Sequence, residues 1–107
     1  MTGSGAVIEN NQIAENRATS STFGGGGMLV HNTTAARISG NSIRNNSVAA
    51  TGLGGGIYLL ATGDLTSLID NTVSGNAAWA GGGIFVDGAI TGTDIIQNLI
   101  VNNPLTA

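Results

Sequence analysis

Apolar residues recur in this chain in short pulses five positions apart, not in a helical stripe. Ile8, Ile13 and Ala18 form the first pulse, and Ile38, Ile43 and Val48 the second. Leu68, Val73 and Ala78 form the third, and Ile95, Ile100 and Leu105 the fourth. Three residues after the first and second member of each pulse stands an asparagine. These are Asn11 and Asn16, Asn41 and Asn46, Asn71 and Asn76, and Asn98 and Asn103. The element I-x-x-N-x-I-x-x-N-x-A, with apolar variants, therefore occurs four times, at intervals of 30, 30 and 27 residues. Three glycine clusters lie between the copies: Gly24–Gly27, Gly54–Gly56 and Gly81–Gly83. Each leads into an apolar run with period-two alternation: Met28-Leu29-Val30, Ile57-Tyr58-Leu59 and Ile84-Phe85-Val86.

This pattern predicts strands. No apolar stripe with helical period is sustained, and Gly and Asn both disfavour helix interiors. Short β-branched runs alternating with period two fit strands. Each repeat supplies about three of them, joined by bends. With no helix to cover a flat sheet, the chain must coil so that equivalent strands stack in parallel and bury their apolar columns. The predicted inward columns are Ile8/Ile38/Leu68/Ile95, Ile13/Ile43/Val73/Ile100, Ala18/Val48/Ala78/Leu105, Met28/Ile57/Ile84 and Val30/Leu59/Val86. Two asparagine columns, Asn11/Asn41/Asn71/Asn98 and Asn16/Asn46/Asn76/Asn103, fall at the bends. There Asn tolerates left-handed backbone, and stacked amides hydrogen-bond along the ladder. The glycine clusters supply positive φ where the chain enters the third strand.

The asparagine element followed by G-G-G-I-[YF] resembles the right-handed parallel β-helix repeats of the pectate-lyase-like superfamily. It is most similar to the repeats of bacterial adhesins and polymorphic outer-membrane proteins. The resemblance covers Gly5 to Leu105. It implies an all-β fold: a short right-handed parallel β-helix of about three and a half coils of 27–30 residues, with residues 1–107 as one domain. It also implies an extracellular or cell-surface setting. The superfamily holds lyases, hydrolases, epimerases and non-catalytic stalks, so the fold does not choose an activity. Pentapeptide-repeat proteins share the five-residue pulse, but the glycine clusters and the longer period separate this chain from them.

Composition narrows the classes. Charged residues make up 8%, with three Arg, no Lys and a net charge of −3. Such a chain lacks the basic footprint of a nucleic-acid binder. Its mean hydropathy of +0.24 is that of a folded chain, not a disordered one. No apolar run is long enough to form a transmembrane helix, and the N-terminus lacks a basic-then-apolar signal pattern. Cys is absent, which removes disulfides and thiolate metal sites.

Three and a half coils is near the minimum for a solenoid, and no amphipathic helix is predicted to cap either end. The outward columns Glu9/Ser39/Ile69/Ile96, Gln12/Ser42/Thr72/Leu99 and Ala14/Arg44/Ser74/Val101 all turn apolar toward the C-terminus. Apolar surface gathered at one end predicts a covered end. The cover is either a second copy, giving a homo-oligomer, or the next coil of a longer β-helix.

Candidate chemistry is sparse. Lyases of this superfamily hold Ca²⁺ with acidic residues and abstract a proton with a base. Here Arg17, Arg37, Arg44 and His31 are the bases, and no carboxylate cluster accompanies them. Hydrolases need carboxylates about 5–9.5 Å apart, and the best acidic group is Asp64, Asp87 and Asp94. The bland alternative is that these are turn formers. His31 falls in column with Leu60 and Asp87, roughly 9.6 Å from the latter, and reads as a lone exposed histidine. No calcium nonapeptide, metal set or cofactor motif is present, and Thr91-Gly92-Thr93 does not recur as an ice-binding array would. On the outward side of the third strand, Leu29, Tyr58 and Phe85 predict an exposed column that Trp79 extends. Such a column suits a protein partner, a sugar ring, or plain sheet stabilisation. The reading is a non-catalytic structural or binding module that self-associates. The alternative is a fragment of a carbohydrate-active enzyme.

Overall fold

A computed structural model describes residues 3–19, 24–31, 33–49, 51–60, 65–88 and 92–106. The first coil contains β1 (Gly3–Ser4), β2 (Val7–Glu9), β3 (Gln12–Ala14), β4 (Arg17–Ala18) and β5 (Met28–His31). The second contains β6 (Thr33–Thr34), β7 (Arg37–Ser39), β8 (Ser42–Arg44), β9 (Ser47–Val48) and β10 (Ile57–Leu60). The third has β11 (Ser67–Ile69), β12 (Thr72–Ser74) and β13 (Ile84–Asp87), and the fourth β14 (Asp94–Ile96) and β15 (Leu99–Val101). Every pairing is parallel, and each strand pairs with its counterpart one coil away. Three principal ladders result: β2-β7-β11-β14, β3-β8-β12-β15 and β5-β10-β13. These are the three predicted columns of strands. Two ladders of two-residue strands, β1-β6 and β4-β9, add to them at the bends.

The register follows the sequence columns residue for residue, as in Ile8↔Ile38↔Leu68↔Ile95 and Ile13↔Ile43↔Val73↔Ile100. A one-residue slip would turn each column outward, so burial of one face fixes the pairing. Met28, Val30, Ile38, Ile43, Ile57, Leu59, Leu68 and Val73 form the core, with Ile8, Ile13 and Ile84 packed partly against it. The shortest extent is 17 Å, the height of three and a half coils at about 4.8 Å each.

The bends work differently from the expectation. The ladder asparagines are not the left-handed residues; the residue just before each of them is. Asn10, Gly40, Asp70 and Gln97 precede the first ladder, and Glu15, Asn45, Gly75 and Asn102 the second, all with positive φ. This frees each ladder side chain to point into the stack. A third left-handed column, Gly5/Ala35/Leu65/Gly92, precedes the first strand of each coil. Gly25, Gly54 and Gly81 carry positive φ at the third bend, as predicted. The glycines after them serve a second purpose, because a Cβ on Gly56 would lie 2.6 Å from the Gly83 carbonyl oxygen and 3.0 Å from Asn76 Nδ2. The backbone must pass that close for the ladder to close.

Candidate functional site

The asparagine ladders are the most extensively hydrogen-bonded side-chain feature among the described residues. Asn41 donates from its backbone N–H and from Nδ2 to Asn71 Oδ1, each at 3.0 Å. Its Nδ2 also donates backwards to the Ile8 carbonyl at 2.9 Å. Asn46 repeats this with Asn76 and the Ile13 carbonyl, and Asn71 with Asn98 and the Ile38 carbonyl. Asn41, Asn46, Asn71 and Asn76 are buried, and among the described residues no buried side-chain polar atom lacks a partner. Burial without loss of hydrogen bonds is what makes an uncharged polar column affordable in so small a core.

The third-strand face departs from prediction. Leu29, Tyr58 and Phe85 are in register, but they do not form an open strip. Tyr58 is only 3% exposed, while Leu29 and Phe85 are half-buried. Tyr58 occupies the central strand, flanked on both sides by large neighbours in register. Its ring meets Phe85 edge to face with centroids 5.6 Å apart. Its hydroxyl donates to Asp87 Oδ2 at 2.6 Å. That bond to a carboxylate, reinforced by desolvation and by the charge, raises the Tyr58 phenol from 10.0 to about 12. At Tyr58 the column expected to be exposed is instead a buried cross-coil clamp. Trp79 is exposed in the bend, and its backbone N–H donates to the Gly52 carbonyl. His31 stands opposite Leu60, as expected, but is half-buried rather than exposed.

The acidic candidates Asp87 and Asp94 stand on separate elements. Asp87 ends β13 and is engaged by Tyr58, whereas Asp94 begins β14 in a different sheet, opposite Ser67. Asp64 lies outside the described residues. Among the described residues no three His, Asp or Glu side chains group as a metal site. The basic residues are on the flank. Arg37 Nε donates to Glu9 Oε1 at 2.7 Å. That bond, with another from Ser39, holds the Glu9 carboxyl below its usual value.

The C-terminal coil is where apolar surface collects. Ile95, Ile100 and Leu105 continue the core columns, yet Leu105 is 66% exposed and Ile95 and Ile100 are exposed as well. Their counterparts Leu68, Val73 and Ala78, one coil earlier, are fully buried. Ile96, Leu99 and Val101, on the flank, are also exposed, as is Val86 at the end of the third ladder. Sequence reasoning missed Leu65, which is 78% exposed in left-handed backbone. Extending the repeat five positions upstream would have revealed it, because Gly5 and Gly92 mark that column as a positive-φ position.

Neither the curated proteins nor the solved structures give a match to this chain. The family model for the right handed beta helix region matches residues 1–104. Nearly the whole chain is matched, and every strand pairing is parallel and one coil apart. The chain belongs to the right-handed β-helix family.

Proposed function

We propose that this chain is a non-catalytic scaffold module, an adhesin-like β-helix that associates with copies of itself through its C-terminal coil. The observation that carries this reading is the contrast within the three core columns that reach the fourth coil: Leu68, Val73 and Ala78 are fully buried in the third coil, and Ile95, Ile100 and Leu105 are exposed in the fourth. Exposed side chains of this size, contiguous on one face, mark an interaction surface on a small domain. The side face supports the reading less well, because Tyr58 and Asp87 satisfy each other there. Light scattering across a dilution series tests the proposal. The expected result is a weight-average mass that rises with concentration. A mass fixed at the monomer value up to high micromolar concentration overturns it.

A further inference from the structure

We propose that copies of this chain stack head to tail, the C-terminal coil of one on the N-terminal coil of the next, in the register that continues both asparagine ladders. The inference rests on the self-association proposed above and adds the partner face and its polarity.

The ladders are directional. At each step the backbone N–H and Nδ2 of one asparagine donate to Oδ1 of the asparagine one coil further on. The two ends of the stack therefore differ in kind. Among the described residues, no acceptor meets the backbone N–H of Asn98 or of Asn103 at the C-terminal end. At the N-terminal end, among the described residues, no donor reaches Oδ1 of Asn11 or of Asn16. Within the ladders the C-terminal face thus presents the two asparagine N–H groups and the N-terminal face the two matching Oδ1 atoms, with the same five-residue spacing, while the backbone carbonyls of Ile95 and Asn98 stand beside those donors where Leu68 and Asn71 accept one coil earlier. Two C-terminal faces brought together would offer the Asn98 and Asn103 N–H groups no free asparagine Oδ1, because both Oδ1 atoms there already accept from Asn71 and Asn76.

The apolar columns agree with the same register. When Asn98 and Asn103 meet Asn11 and Asn16 of the next copy, Ile95 meets Ile8, Ile100 meets Ile13 and Leu105 meets Ala18. These are the pairings each coil already makes inside the chain. The edges of β14 and β15 would continue as parallel ladders onto β2 and β3. An end face bounded by the 34 and 25 Å extents covers roughly 650 Å². Among the described residues the fourth coil contributes no third strand, so contact runs over two of the three principal sheets. Two apposed faces then bury about 900 Å², the size of a weak, reversible interface. A head-to-tail contact does not close on itself, so the assembly is open-ended.

Thiol cross-linking tests the polarity in a chain that has no Cys of its own. Ala14 and Val101 share one outward column, so head-to-tail stacking puts them on adjacent strands about 4.8 Å apart. With a short bis-maleimide, the A14C/V101C double variant should yield a series of dimers, trimers and longer chains. The product should be roughly ten-fold or more above either single variant. The two single variants mixed should give only a heterodimer. Both substitutions are small and lie on the flank, and circular dichroism verifies the fold. If V101C alone cross-links to a dimer, the faces pair tail to tail, which overturns the polarity and leaves self-association standing. If mass grows with concentration but no variant cross-links, association uses another face and this inference fails. A concentration-independent monomer removes both proposals. Hydrogen exchange gives a second readout without substitutions: residues 7–14 and 94–101 should gain protection together as concentration rises.

Discussion

The asparagine and tyrosine positions show how single residues hold the coils together. Asn71 accepts from Asn41 and donates to the Ile38 carbonyl and to Asn98. Replacing it with Ala strands several buried groups at once. Each costs about 1–3 kcal/mol, so Asn71→Ala should lose roughly 3–5 kcal/mol in urea unfolding. Asn11→Ala, at the exposed end of the same ladder, should lose no more than about 1 kcal/mol, because water replaces its bond to the Glu9 carbonyl and Asn41 Oδ1, which loses the long 3.3 Å bond from Asn11 Nδ2, still accepts from the backbone N–H of residue 11. A similar loss for both would mean the ladder is not the stabilising element. Tyr58 is the only tyrosine, so its ultraviolet titration is unambiguous. The midpoint should lie near 12 and fall toward the ordinary value of about 10 in Asp87→Asn. Because the folded state holds this proton more tightly, its contribution to stability is complete below pH 10 and is lost as pH rises toward 12. The ladders were legible from spacing, since a buried polar residue repeated at a fixed interval has few other partners. The Tyr58–Asp87 bond was not, because period-two alternation assigns a side of the strand and not the depth to which neighbours cover it.

Strands and bends were legible to different degrees. The three principal ladders follow from the apolar alternation alone, because only one register buries every column. The bends were only half readable. Glycine in clusters signals positive φ, but it also signals close approach, and the sequence does not separate the two. Gly56 and Gly5 make the distinction measurable. A Cβ on Gly56 meets the Gly83 carbonyl at 2.6 Å and Val73 Cγ1 at 2.9 Å, whereas a Cβ on Gly5 meets nothing within 4 Å. Gly5 is left-handed, with φ of 69°. Gly56→Ala should therefore cost about 3 kcal/mol or more through overpacking. Gly5→Ala should cost about 1–2 kcal/mol through backbone strain alone. Chemical denaturation monitored by circular dichroism checks both. An equal cost for the two would make backbone conformation, rather than contact between coils, the reason for the glycines.

For the whole molecule, each coil touches only its neighbours, so stability is graded along the axis. Amides in β7, β8, β11 and β12, covered on both sides, should exchange slowest with deuterium. Those in β14 and β15 should exchange first in dilute solution. Uniform protection across the coils would contradict a stack of semi-independent units. The C-terminal apolar surface was legible because three outward columns changed character together toward one end. The acidic candidates were chosen by proximity along the chain, and the structure places Asp87 and Asp94 in different ladders. The intervals along the chain carry one more consequence. Between the second ladder asparagine and the third strand the chain takes 12 residues from Asn16 to Met28, 11 from Asn46 to Ile57, and 8 from Asn76 to Ile84. The ladders on either side keep their register throughout. That corner is an expansion joint, where lengthening a loop adds little closure entropy. A lineage built on this repeat can graft new segments there, one corner per coil, and try out binding surfaces while the stack beneath stays the same.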